Sequence, residues 1–257
     1  MFATDFLFDT NRASDFGLMI GSFNNETPTA TGGDIEYNIV KTPDRDIFDF
    51  YGAQLNTIIT WNFSIVKNPC LNNDSCYFTQ YEESQIAQWL LKQDGYRWFQ
   101  FDQDGYRDVY YKVHINMLPH QVGGKTVGFD LNVVSDCGYG YSEEIFKEYT
   151  FNKDKPIRLD VHSDINSYIL PHIILNGMGT FYISNQSDLP QKYTKLENVN
   201  NEIKLDSNDD IIEGISSPND FNWYFLRLVN GVNHIVTNSE HEINIKITYR
   251  EPRRIIV

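Results

Sequence analysis

Between Gln54 and Val66 the run QLNTIITWNFSIV places Leu55, Ile59, Trp61, Phe63 and Ile65 on one face, with Asn56, Thr60, Asn62 and Ser64 mostly opposite. Side chains alternate across a strand with a period of two, so this run predicts one long half-buried strand. The turn-like stretch NPCLNNDSC follows, and then the pattern changes period. Thr79 with Glu82 three residues on forms a capping-box signature, and Ile86, Trp89 and Leu90 recur at helical spacing, which predicts a helix closed by Asp94-Gly95. Strands resume in RWFQF and DVYYKVHIN around an Asp104-Gly105 hairpin turn, and TVGFDLNVV sets Val127, Phe129, Leu131 and Val133 on one face. A sheet of at least four strands carrying one helix accounts for residues 1–137.

The alternation breaks in SDCGYGYSEE, where glycines and small polar residues predict a domain boundary, giving domains 1–137 and 138–257. Beyond it no helix signal occurs. Short turn-bounded strands are expected at PIRLDVH, HIIL, TFYIS, EIKLD, IIEGI, FNWYFLRL, HIVT and EINIKITY. In the last of these Ile243, Ile245, Ile247 and Tyr249 alternate with Glu242, Asn244, Lys246 and Thr248. The pattern predicts a second domain that is a jelly-roll β-sandwich. The fold class is therefore mainly β.

Composition sharpens this reading. Sixteen Tyr and seventeen Phe favour sheet, where flat side chains pack on pleated surfaces. A net charge of −14 excludes a wrapped nucleic-acid surface, which needs clustered Lys and Arg. The start MFATDFLFDTNR carries acids where a secretory signal carries cations, and no apolar run reaches the roughly 20 residues of a membrane span, so a soluble chain made in a cytosol is expected. The odd set Cys70, Cys76 and Cys137 reads as thiols, with a Cys70–Cys76 bridge as the lesser alternative.

Candidate chemistry is sparse. No nucleophile elbow, P-loop, zincin helix or dinucleotide fingerprint occurs. Asp160, His162 and Asp164 share a strand face and could offer carboxylate and imidazole to one metal ion, with Asn233-His234 as a later partner pair, as in metallophosphoesterases. The bridging Gly-Asp motif of those enzymes is missing, which favours a solvated strand end. Asp206, Asn208 and Asp210 begin like a calcium loop, but Ile211 replaces the turn glycine and Ser217 the bidentate Glu, so a surface turn is expected. Turn propensity explains Asp102, Asp104 and Asp108. Trp223, Tyr224 and Phe225 could stack on sugar rings, although aromatics alternating across a strand ordinarily supply core. No catalytic, cofactor-binding or metal-binding residue is assigned, and no enzyme activity is expected.

Several segments together resemble the distal tail protein family of long-tailed bacteriophages. They are Ser14-Asp15-Phe16-Gly17-Leu18, the loop Pro43-Asp44-Arg45-Asp46, the strand with Trp61 and Phe63, and the helix with Trp89-Leu90. The run Tyr96 to Phe101, the pair Tyr110 and Tyr111, Gly231-Val232-Asn233 after FLRLVN, and Tyr249-Arg250-Glu251-Pro252-Arg253 continue in family order. Asp44 and Ile47 stand where glycines are common, which implies a reshaped loop.

The resemblance implies a ring-forming belt domain, β-sandwich-like with one helix, followed by a galectin-like β-sandwich. It also implies a homo-hexamer at the phage tail tip, without cofactor, joining the tail tube protein to a tail-associated tip protein, with baseplate or receptor-binding proteins at the periphery. Genome DNA would meet it only in transit through the lumen, where an acidic lining repels phosphate. The galectin signatures His-x-Asn-Pro-Arg and Trp-Gly-x-Glu are absent, so sugar binding does not follow from the fold. Two other functions stand beside this one. A carbohydrate-binding module would use exposed aromatics such as Trp223, and a metallophosphoesterase would depend on His162.

Overall fold

A computed structural model describes residues 3–23, 29–31, 35–43, 45–55, 58–71, 75–92, 94–189 and 191–254. The protein is mainly β, and its internal contacts divide it into two units. The first holds the chain through Tyr141 together with Arg254, the second Ser142–Arg253.

The first unit contains β1 (Phe6–Phe8), β2 (Asn11–Arg12), β3 (Leu18–Gly21), β4 (Thr29–Thr31), β5 (Ile35–Lys41), β6 (Phe48–Leu55), β7 (Thr60–Lys67), α1 (Gln80–Leu90), β8 (Arg97–Phe101), β9 (Tyr111–Val122), β10 (Lys125–Ser135) and the short β11 (Gly140–Tyr141). Eight of these strands form one antiparallel sheet in the order β2-β1-β8-β9-β10-β7-β3, with β4 also on β7. Trp61, Phe63 and Ile65 of β7 face the core opposite Val133, Leu131 and Phe129 of β10. Rings fill the interior: Trp61 meets Tyr111 edge-on at 4.6 Å, and Phe99 meets Phe101 at 4.6 Å. Such pairs add about 0.5–1.5 kcal/mol each beyond the area they bury.

The capping box forms as its spacing predicts. The Glu82 amide donates to Thr79 Oγ1 at 3.3 Å, and the Thr79 amide donates to Glu82 Oε2 at 2.7 Å. Helix α1 buries Ile86, Trp89 and Leu90, and the indole of Trp89 donates to the Phe8 carbonyl at 3.1 Å.

Three expectations fail locally. The Gln54–Val66 run is not one strand, because its halves pair with different partners: β6 joins β5 in a separate ribbon, while β7 joins β10. Asn56 and Thr57 lie outside the described residues. Val127 leaves the core face because a bulge between Thr126 and Gly128 shifts the register. Helix α1 stops at Leu90, short of Asp94-Gly95, with the Leu91 amide closing on the Ala87 carbonyl.

The second unit contains β12 (Ile145–Phe151), β13 (Ile157–Val161), β14 (His172–Asn176), β15 (Gly179–Asn185), β16 (Thr194–Val199), β17 (Ile203–Asp206), β18 (Ile211–Glu213), β19 (Gly231–Thr237), β20 (Ile243–Tyr249) and the short β21 (Pro252–Arg253). Two antiparallel sheets, β12-β20-β14-β17-β18 and β13-β19-β15-β16, contribute to one core. Ile243, Ile245, Ile247 and Tyr249 of β20 are all buried, as their alternation requires, against Leu175, Phe181 and Leu205.

The run FNWYFLRL is not a strand. Only isolated bridges tie it down, Phe221 to Leu196 and Leu228 to Ile169, and Trp223 sits in the left-handed region with φ 56°. Side chains, not a ladder, satisfy its backbone. Thr194 Oγ1 donates to the Tyr224 carbonyl, Ser207 Oγ to that of Leu226, and Asn185 Nδ2 to that of Arg227. The segment buries Phe221, Leu226 and Leu228 while exposing Trp223.

Candidate assembly surface

The ribbon of β5 and β6 is built unlike the rest of its unit. Tyr37, Ile39 and Lys41 share a face with Phe48 and Phe50, since Ile39 pairs with Phe50 and Lys41 with Phe48. Tyr37 and Phe50 have ring centroids 6.3 Å apart, and Lys41 Nζ lies 6.0 Å over the Phe48 ring. The turn is held by the Thr42 hydroxyl donating to Asp49 and by Arg45 at 3.8 Å from the same carboxylate. Asp44 lies outside the described residues. Among the described residues, none of the ribbon's side chains joins the buried core, and Phe48, Phe50 and Tyr51 are 60%, 64% and 66% exposed.

A two-stranded ribbon gains little from water on its own, and its outer edges carry unpaired N–H and C=O groups. Burying one Phe or Ile contributes about 1.5–3 kcal/mol. An exposed apolar face of this kind marks the ribbon as the candidate assembly surface.

The residues weighed for metal chemistry are not brought together, and among the described residues no group of three or more His, Cys, Asp or Glu side chains is arranged to hold a metal. In the β13–β19 pairing His234 stands opposite Arg158, and Asp160 opposite Val232. The cation beside His234 disfavours a metal there. His162 is exposed, and its amide donates to Glu251 Oε1 at 2.8 Å. The Asp206 carboxylate accepts the Asn208 and Asp209 amides at 2.9 and 3.2 Å, so it closes the β17–β18 turn.

Asp102 accepts from Arg107 Nε at 2.6 Å and Arg12 at 3.0 Å, and those guanidinium groups, Arg107 first, hold its carboxyl below the usual value. All three cysteines are free. Burial pushes the Cys137 thiol up to about 12, which leaves it protonated and unreactive. No described helix is long and apolar enough to cross a membrane.

The segments behind the family resemblance have structural tasks. Ala13–Phe16 is a 3-10 turn closed by Gly17 at φ 66°, where Ser14 Oγ donates to Asp5 at 2.8 Å and Phe16 stacks on Trp89 at 4.5 Å. Asn233, fully buried, accepts the Val229 and Asn185 donors at 2.9 and 2.7 Å and donates to the Val229 carbonyl at 2.8 Å. Glu251, also buried, receives the His162 amide and the Arg253 guanidinium, while its own amide donates to Ser142 Oγ at 2.9 Å. This motif clasps the two ends of the second unit. Side-chain clamps of this sort leave no periodic trace in a sequence.

Two family models match successive parts of the chain. Residues 1–137 match a family described as the phage tail protein N-terminal domain, and residues 139–249 match the phage tail C-terminal domain. The crystal structure of the Dit protein of phage SPP1, described as a paradigm of the hub adsorption apparatus in phages infecting Gram-positive hosts, is similar in fold. Its TM-score is 0.59 at 10% identity, over 96% of this chain and 98% of that one. No curated protein sequence matches. The chain therefore belongs to the phage tail protein family, as a structural tail component with the fold of a distal tail hub protein.

Proposed function

We propose that the protein is the ring-forming hub at the distal end of a phage tail, a homo-hexamer whose first unit makes the inner belt and whose second unit, a galectin-like sandwich, faces outward. The observation that carries this reading is the exposed apolar face of the β5–β6 ribbon, which fits a second copy of the chain. Subunits related by a fixed rotation present different patches to one another, so such contacts close into a ring only for one angle. One ring face meets the tail tube protein and the other a tail-associated tip protein. Baseplate or receptor-binding proteins attach at the rim.

The role is mechanical and non-enzymatic. The net charge of −14 supports a lumen that lets DNA pass, since like charges repel phosphate over roughly a Debye length of about 8 Å. The protein assembles in the host cytosol and ends in the virion. Gold-labelled antibody against the chain, applied to intact virions, tests the placement: label at the distal tube end supports it, and label along the tube or on the capsid overturns it.

A further inference from the structure

A shallow cavity on the outer face of the β13-β19-β15-β16 sheet is not used by the assembly reading. It has a volume of about 480 Å³ and is lined by Tyr182, Ser184, Tyr193, Val236, Thr237 and Asn238. Along β15 the core takes Phe181 and Ile183, so strand alternation turns Tyr182 and Ser184 outward. Ser184 stands opposite Val236, and Tyr182 opposite Lys195.

The rings of Tyr182 and Tyr193 meet at 82° with centroids 5.0 Å apart, which makes an aromatic corner. The backbone fixes that corner. The Tyr182 amide donates to Asn238 Oδ1 at 2.7 Å, and the Tyr193 carbonyl accepts from Asn222 Nδ2 at 2.8 Å. Lys195 and Glu197, paired at 2.9 Å, stand along the adjoining edge strand. Among the described residues no hydrogen bond engages the phenols of Tyr182 and Tyr193 or the amide nitrogen of Asn238.

We infer that this cavity binds a pyranose ring of a surface glycan. A sugar has an apolar C–H face, which stacks on a tyrosine, and a belt of hydroxyls, which needs donors and acceptors at its edge. The cavity presents both: two phenols and the Asn238 amide nitrogen stand beside the Ser184 hydroxyl, which accepts from Gln186 Nε2 at 3.0 Å and keeps its own proton to donate, while the Thr237 hydroxyl turns to the buried side and accepts the Ser239 amide at 3.2 Å. A flat apolar partner would leave those polar groups unpaired, and an extended peptide would need a free strand edge, whereas the adjoining edge of β16 is already taken by the Leu196–Phe221 bridge and by the Lys195 amide donating to Asn222 Oδ1 at 2.9 Å. One ring in one open cavity binds with a dissociation constant on the order of 1 mM. Six copies on one ring would raise the apparent affinity by roughly 10²–10⁴, although the single-site claim does not rest on the ring.

Saturation-transfer difference NMR on the full chain tests this, using methyl β-D-galactopyranoside, methyl α-D-glucopyranoside and N-acetylglucosamine, each at about 50 mM to suit a millimolar site. Transfer to the ring C–H protons of at least one sugar is expected. It should weaken at least about tenfold in Tyr193→Ala, survive in Tyr193→Trp, and be unchanged in Trp223→Ala. The half-exposed Tyr193 can be removed without opening the core, and an unchanged thermal midpoint verifies that. No transfer to any of the three sugars, transfer that survives Tyr193→Ala, or transfer lost instead in Trp223→Ala would overturn the inference. None of these outcomes bears on whether the chain forms a ring.

Discussion

Replacing Phe48 and Phe50 together by Ser separates folding from assembly. Both side chains are exposed in the single chain, at 60% and 64%, and neither joins the core. Surface substitutions of this kind shift the stability of the isolated chain by only about 0.5 kcal/mol either way. If the ribbon face is buried by a neighbouring copy, each lost ring costs about 1.5–3 kcal/mol at every interface. For the pair, the weakening per interface is roughly a hundredfold or more. Tyr37 and Ile39 remain on the same face, so the interface should be crippled and not merely trimmed.

Size-exclusion chromatography with light scattering reads the assembly, and the circular dichroism melting curve reads the fold. The double variant should elute as smaller species with an unchanged melting temperature. An unchanged assembly would refute the reasoning. So would a melting temperature lowered by several degrees, because the ribbon would then be supporting its own unit.

Three further outcomes follow from the internal clamps. Asn233→Ala removes the acceptor of the buried Asn185 and Val229 donors and should destabilise the second unit by roughly 2–3 kcal/mol, read by urea denaturation. Thr79→Ala removes the helix cap and should cost about 1 kcal/mol in the same assay. The carboxyl of Asp102 is held down by Arg107 and Arg12, so its stabilising effect is present above the ordinary carboxylate value, about 3.9, and is lost as pH falls through its lower folded value. The stability of Asp102→Asn should therefore fall below the parent's at pH 7, with the difference shrinking as pH falls below the ordinary carboxylate value, and a difference that stays constant as the pH is lowered would contradict the ion-pair explanation.

Where periodicity is set by a buried face, the sequence reads well. The alternation of Ile243 to Tyr249 and the spacing of Thr79, Glu82, Ile86 and Trp89 reappear in β20 and α1, because one face of each element is covered by core. Elements shaped by long-range partners read poorly. FNWYFLRL is rich in strand-forming residues, yet its carbonyls are taken by Thr194, Ser207 and Asn185, residues about 20–40 positions away. The β5–β6 ribbon shows only Tyr37-Ile39 and Phe48-Phe50 as alternation, too short a pattern to stand out. The burial that normally discloses such a face is absent in the single chain. The cavity of Tyr182 and Tyr193 brings together residues from three separate strands or their ends, which no local motif records.

The solution mass of the purified chain, measured by light scattering over a range of concentrations, is the most direct check on a ring-forming hub. Six copies of the 29.9 kDa chain predict about 180 kDa, with six-fold rings visible in negative stain. A mass that stays near that of one chain at every concentration, with no rings formed on adding tail tube protein, would contradict it.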